Sequence, residues 1–210
     1  DIVSSSLSFD FRNDRFFPSK GLFFSFSWQK AFSLNTAGAD YNKLEGMTNF
    51  YLPVFGPLQI ALSLKSGKII TLPNDNASVP RNRRFFLGGR STVRGYIEDA
   101  ILPEDMTNLV ENLQKNSFII GGKLYHLAKT ELRLALRSNF STALFFDAGT
   151  LWNESDLFVT DPQHFRYSTG AGLRYHTPVG PISLDLGIPL NRANPSFQSS
   201  YNIHFNFQVF

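Results

Sequence analysis

The chain has 210 residues, 22 of them phenylalanine, with 15% aromatic residues, 18% charged residues and a net charge of +3. The absence of cysteine excludes a disulfide scaffold and any thiolate metal site. So small a charge, with basic residues alternating with apolar ones instead of forming a stripe, argues against nucleic acid as a partner. No apolar run approaches the ~18 residues of a membrane helix, and at a mean hydropathy of −0.14 the apolar content is dispersed. No signal peptide is visible and Asp1 is not a natural start, so the chain is expected to be a processed or truncated piece.

Taken in order, the chain shows period-two alternation nine times, which predicts nine antiparallel strands, each with one apolar and one polar face. Leu7, Phe9 and Phe11 begin the series. Leu22, Phe24, Phe26, Trp28, Phe32 and Leu34 follow, with Lys30 breaking the apolar side. A weaker third strand runs from about Asp40 to Leu52. The fourth carries Leu58, Ile60, Leu62 and Leu64. After a long interruption, Leu132, Leu134 and Leu136 oppose Glu131, Arg133 and Arg137. Leu144, Phe146 and Trp152 oppose Ala143, Phe145, Asp147 and Gly149. Tyr167, Leu173 and Tyr175 mark the seventh strand, Ile182, Leu184, Leu186 and Ile188 the eighth, and Tyr201 to Val209 the last.

The interruption, residues 71–121, lacks strand-like alternation and contains Arg84 to Tyr96, RFFLGGRSTVRGY. Loops of roughly fifty residues are rare in compact folds and are usually functional or disordered. This one carries Phe85, Phe86, Leu87, Val93, Tyr96 and Ile97, so it is expected to pack back onto something. Gly88, Gly89 and Gly95 permit tight or positive-φ backbone beside Arg90 and Arg94. The simplest reading is a loop folded into a cavity and carrying a cation inward. Met106, Leu109, Val110 and Leu113 have helical spacing, which predicts one short helix further along the loop.

The polar face of the strands is rich in Ser, Gly, Ala, Asn and Gln, with Arg and Asp spaced through it. A soluble sandwich would show Lys and Glu there; this composition suits the wall of a confined aqueous lumen, and the opposite face suits lipid. The fold class expected is therefore all-β, a transmembrane antiparallel barrel. From the third connection onward, short turns alternate with longer loops, which places the long loop outside and the C-terminus in the periplasm. Nine is an odd count, and a closed barrel leaves no unpaired edge in lipid. The remaining strands are expected before Asp1, or else from another chain.

RFFLGGRSTVRGY resembles the loop signature of the outer-membrane assembly and secretion superfamily of BamA-type insertases, TamA-type assembly proteins and TpsB-type two-partner secretion transporters. NDRFFPSKG (Asn13–Gly21) resembles the turn before a middle barrel strand. TELRL (Thr130–Leu134), FFDAGTLW (Phe145–Trp152) and GAGLRYHTPVGPISLDLGIPL (Gly170–Leu190) resemble its last strands. The resemblance implies a sixteen-stranded barrel preceded by periplasmic POTRA domains. Residues 1–210 would then be the C-terminal nine strands, with residues 71–121 an extracellular loop. It further implies a functional motif of Gly88, Gly89, Val93, Arg94, Gly95 and Tyr96, whose Arg94 reaches into the lumen to meet Glu131 and Asp147. Alternation alone already puts both carboxylates on the lumen face. Phe210 resembles the aromatic C-terminus of such barrels, but lies out of phase with the alternation through Tyr201 to Val209.

Plainer readings exist for single residues. A lone loop arginine is by default solvated, and Asp147-Ala148-Gly149 also fits an ordinary turn. His126, His164, His176 and His204 are scattered without metal-ligand spacing. GAGLRY is half a dinucleotide fingerprint within a strand pattern, and G-x-S-x-G is absent. No enzymatic activity, cofactor or metal is therefore expected. The resemblance implies a factor in the outer membrane of a Gram-negative bacterium, or in a derived organelle, that folds and inserts outer-membrane proteins. Its partners would be membrane lipids, unfolded outer-membrane or secreted polypeptides, and accessory lipoproteins. The alternatives are a two-partner secretion pore and a passive porin.

Overall fold

A computed structural model describes residues 1–32, 40–71, 79–106, 119–136, 139–153, 161–178, 180–191 and 199–207. The strands are β1 (Ile2–Asp10), β2 (Gly21–Ala31), β3 (Tyr41–Phe55), β4 (Leu58–Thr71), β5 (Leu124–Ala135), β6 (Phe140–Trp152), β7 (Arg166–Thr177), β8 (Gly180–Pro189) and β9 (Asn202–Phe207). They form one antiparallel nine-stranded sheet in which every strand pairs with its sequence neighbours, β1 and β9 being the two edges. The molecule is thus all-β, a meander with the architecture of a barrel wall. β3, β4 and β6, at 15, 14 and 13 residues, exceed the ~9–11 residues a tilted strand needs to cross a bilayer. No helix among the described residues is long and apolar enough to do so.

The strands fall where alternation predicts, with corrected ends. β4 continues from Leu64 to Thr71, and β5 begins at Leu124, well before Glu131. The early part of β5, LYHLAKT, escapes a period-two reading because Leu124 and Leu127 fall on opposite faces. One face of the sheet keeps its large apolar side chains exposed, among them Leu132, Leu144, Phe146, Leu173, Leu184, Ile203 and Phe205. The other buries polar and charged groups, including Ser63, Lys129, Glu131, Asp147, Ser168, Arg174 and Asp185. This inversion of the soluble pattern is what a lipid-facing exterior and an enclosed polar interior require.

The β1–β2, β3–β4, β5–β6 and β7–β8 connections lie at one rim of the sheet, and the others, with the long connection, at the opposite rim. The long connection bends back over the inner face. Phe85 bridges to Gly122 and Leu87 to Ile101. Val79, Phe85, Leu87, Val93, Tyr96 and Ile101 then join Ala31, Tyr41, Ile69, Tyr125, Leu127 and Leu151 of the wall in one buried cluster. The hydrophobic core of the chain is therefore loop against wall. Met106 closes a short 3₁₀ turn, Glu104–Met106; Leu109, Val110 and Leu113, with the helix predicted there, lie outside the described residues, as does Phe210. At the β5–β6 turn Asn139 takes φ 63°, a left-handed conformation that asparagine tolerates better than most residues; Ser138 lies outside the described residues.

Candidate functional site: a loop arginine seated on the inner wall

The loop tip is shaped by its glycines. Gly88 and Gly89 have φ of 107° and 92°, and a Cβ on Gly88 would stand 2.4 Å from the Ile97 carbonyl oxygen. Thr92 closes the turn, its hydroxyl accepting from the Gly88 N–H and donating to the Gly88 carbonyl, both at 2.8 Å. The Gly89 N–H is shared between the carbonyls of Val93 and Tyr96 at 3.2 and 3.0 Å. Gly95 takes the tight alternative and not a positive φ. Its role is close approach: a Cβ there would lie 2.6 Å from the Pro189 nitrogen and 2.8 Å from the Ile188 carbonyl carbon.

The wall is hollowed to match. Glu131, Phe145, Gly170, Gly187 and Asn202 form one cross-strand row on the inner face. A Cβ on Gly187 would come within 2.3 Å of the Arg94 carbonyl oxygen, and one on Gly170 within 2.4 Å of the Phe145 ring. Gly149 faces Val93 in the same manner, at 2.9 Å. These absent side chains let loop backbone lie directly on strand backbone.

Arg94 is 1% exposed. Its Nε and Nη2 engage Asp147 Oδ2 and Oδ1 at 2.9 and 2.7 Å, the bidentate fork for which guanidinium is suited. The Arg94 backbone N–H also donates to Asp147 Oδ2, at 3.1 Å. Nη1 donates to Glu131 Oε1 at 2.5 Å and to Asp185 Oδ2 at 3.2 Å. Beneath the guanidinium lies the Phe145 ring, 3.6 Å from Cζ to centroid, a cation–π contact. Burial by itself would depress the Arg94 pKa; the hydrogen bond and charge of Asp147, then the charges of Glu131 and Asp185, outweigh it and leave the group above its ordinary value.

Backbone polar groups of the motif are met as well. His204 Nε2 lies 2.6 Å from the Arg94 carbonyl, and Asn202 Nδ2 donates to the Gly95 carbonyl at 2.6 Å. Tyr96 Oη donates to the Asn191 carbonyl at 2.6 Å. The carboxylates have further cations: Arg133 Nε donates to Glu131 Oε2 at 2.8 Å, and Arg174 Nη2 to Glu131 Oε1 at 2.9 Å. Buried Arg94, Lys129, Arg133 and Arg174 thus interleave with Glu131, Asp147 and Asp185. A second tie fastens the loop to the top of β7, where Arg166 meets Glu104 at 2.6 Å.

The structure therefore brings together Arg94, Glu131 and Asp147, with Gly88, Gly89, Val93, Gly95 and Tyr96 supporting the turn. Sequence reasoning missed Asp185, Arg174, Phe145, Asn202 and His204. Asp185 lay on the polar side of an alternating strand two residues before Gly187, so its face was legible; its reach to Arg94 was not. No cluster able to hold a metal ion occurs among the described residues. The arrangement offers mechanical fixation of the loop on the wall.

A meandering membrane-type barrel sheet with a loop anchored to its inner wall defines the class. The Omp85 superfamily domain matches residues 2–209, and the chain belongs to that superfamily. It is 28% identical over 141 residues to the outer membrane protein assembly factor BamA of Nitratidesulfovibrio vulgaris, covering 66% of this chain and 17% of that protein. It is 29% identical over 140 residues to the chloroplastic outer envelope protein 39 of Arabidopsis thaliana, covering 64% of this chain and 32% of that protein. The chain thus spans less than a third of either relative. The crystal structure of Haemophilus ducreyi BamA lacking POTRA domains 1-3 superposes with a TM-score of 0.75 at 20% identity, covering 96% of this chain and 41% of that one.

Proposed function

We propose that this chain is barrel wall from an outer-membrane factor that folds and inserts other outer-membrane proteins, with the long loop outside and the C-terminus periplasmic. It carries out no bond chemistry in this reading and uses no cofactor. Its partners are membrane lipid, unfolded β-barrel polypeptides and accessory lipoproteins. The observation that carries the proposal is the loop itself. A passive pore gains nothing from a buried charge network that fastens a loop across its inner wall, whereas a machine that must hold its interior shape while its wall accommodates another chain does. The similarity to an assembly factor supports the same reading. Secretion of an exoprotein through the lumen is the second reading, and the loop must leave the lumen for it to operate.

The test uses the full-length protein in liposomes, presented with an urea-unfolded outer-membrane barrel. Insertion is followed by the gel-mobility shift of the folded substrate. Acceleration over empty liposomes, reduced by Arg94→Ala, supports the proposal. No acceleration, with steady ion conductance instead, points to a porin. Passage of an exoprotein into the vesicle interior without insertion points to secretion.

A further inference from the structure

We propose that the outer face of β2–β5, near the rim from which the long loop springs, is a binding site for one anionic, phosphate-bearing membrane lipid. The outer face carries many exposed large apolar side chains; here Gly46 and Ser66 stand side by side on adjacent strands between them. Phe26, Gly46, Ser66 and His126 occupy one cross-strand row, and Phe24, Thr48, Leu64 and Ala128 the next row towards the sheet centre. Gly46 leaves a gap, since a Cβ built on it would meet nothing within 4 Å. The result is a cavity of about 360 Å³ walled by Phe24, Leu64 and Ala128, with Phe165 from the segment before β7 closing one side. That volume lies within the ~300–1,000 Å³ of small-ligand sites, and its apolar walls suit an acyl chain.

Polarity rises toward the rim in the order a lipid requires. Ser66 Oγ stands 2.9 Å from His126 Nδ1 beside the cavity, a polar pair between the apolar walls and the lysines further out. One row further out, Trp28, Leu44 and Lys68 align, and beyond them Lys30, Asn42 and Ile70. Lys68 stands two residues above Ser66, about 7 Å along the strand. The Trp28 indole N–H donates to Asn42 Oδ1 at 3.2 Å, which ties the ring to the row that carries Lys30. An indole with two ammonium groups above an apolar crevice matches a phosphate headgroup above its own acyl chain. The charge complementarity names the occupant as an anionic lipid and disfavours a zwitterionic one or a plain hydrocarbon.

The test is native mass spectrometry of the full-length protein titrated with phosphatidylglycerol or phosphatidylcholine, and crosslinking by phosphatidylglycerol bearing a photoactivatable acyl chain. Retention of phosphatidylglycerol should exceed that of phosphatidylcholine severalfold, with adducts concentrated on β4 and β5. Gly46→Phe, whose side chain enters open space, should lower retention of both lipids. Lys30→Gln with Lys68→Gln should remove only the preference for phosphatidylglycerol. Ala128→Phe gives a second obstruction should Gly46→Phe fail to fold, and the gel-mobility shift reports folding of each variant. Equal retention of the two lipids, adducts spread evenly over the outer face, or no effect of filling the crevice would each overturn the site and leave an unspecific lipid shell.

Discussion

Arg94 is a charge taken out of bulk water, and it stays there because its donors are met by three carboxylates and an aromatic face. Breaking a buried pair by removing one partner costs about 3–5 kcal/mol, while exposed pairs are worth ~1 kcal/mol or less. A water-containing lumen places this cluster between the two. Arg94→Ala should therefore free the loop, seen as faster hydrogen exchange across residues 85–101, while the sheet remains folded. Asp147→Asn should do the same, and the double variant should be little worse than either single, because the two groups act as one contact. Additive losses would sever the link. The raised Arg94 pKa makes the clamp resistant to base: its contribution is complete below the ordinary arginine value and is lost only as pH rises through the higher folded value. Tryptic cleavage at exposed Arg81, Arg83 and Arg90 should thus stay equally slow from neutral pH to about pH 10; an alkaline burst of cleavage would contradict this.

At the scale of the element, the strands owe their stability to two different solvents. Phe26 on β2 is exposed on the outer face, whereas neighbouring Ser27 faces inward opposite Glu45. Phe26→Arg should cost roughly 2–4 kcal/mol if that position lies near the bilayer midplane. Ser27→Arg should be near neutral. Urea titration of the barrel folded in vesicles measures both, and equal losses would mean that the outer face does not meet lipid. The seat of the loop also depends on a missing side chain in β8. Gly187→Ala sets a methyl group against the Arg94 carbonyl, and neither backbone can give way without breaking the register with β7 and β9. It should loosen the loop as Arg94→Ala does, although no charge is removed. Unchanged exchange in residues 85–101 would show that the loop does not rest on β8.

For the whole molecule, the meander assigns the long loop and the β1–β2 turn to opposite rims. The chain has no cysteine, so a single introduced thiol reports on this part of the protein without background from it. A cysteine at exposed Asn82 should react with an impermeant maleimide on intact cells, and one at exposed Arg15 only after the envelope is opened. The reverse result would invert the proposed orientation.

The alternation of side chains determined the strand count and the face of most strand residues, because period two is a local property that no distant contact can alter. It also placed Glu131 and Asp147 on the inner wall, and the apolar residues of the long connection required that it pack against something. Strand ends were less legible. β4 and β5 run on toward the rim where the loop covers them, so Ile69 and Leu127 are buried on the inner face and the amphipathic signal fades. What only the tertiary structure decided is which groups meet. Asp185 stands 91 residues from Arg94 in the chain, and its contact depends on the register of four strands together with the path of the loop. Gly170 and Gly187 looked like ordinary strand glycines for the same reason: the backbone and ring they make room for are brought there only when the sheet and the loop are both in place.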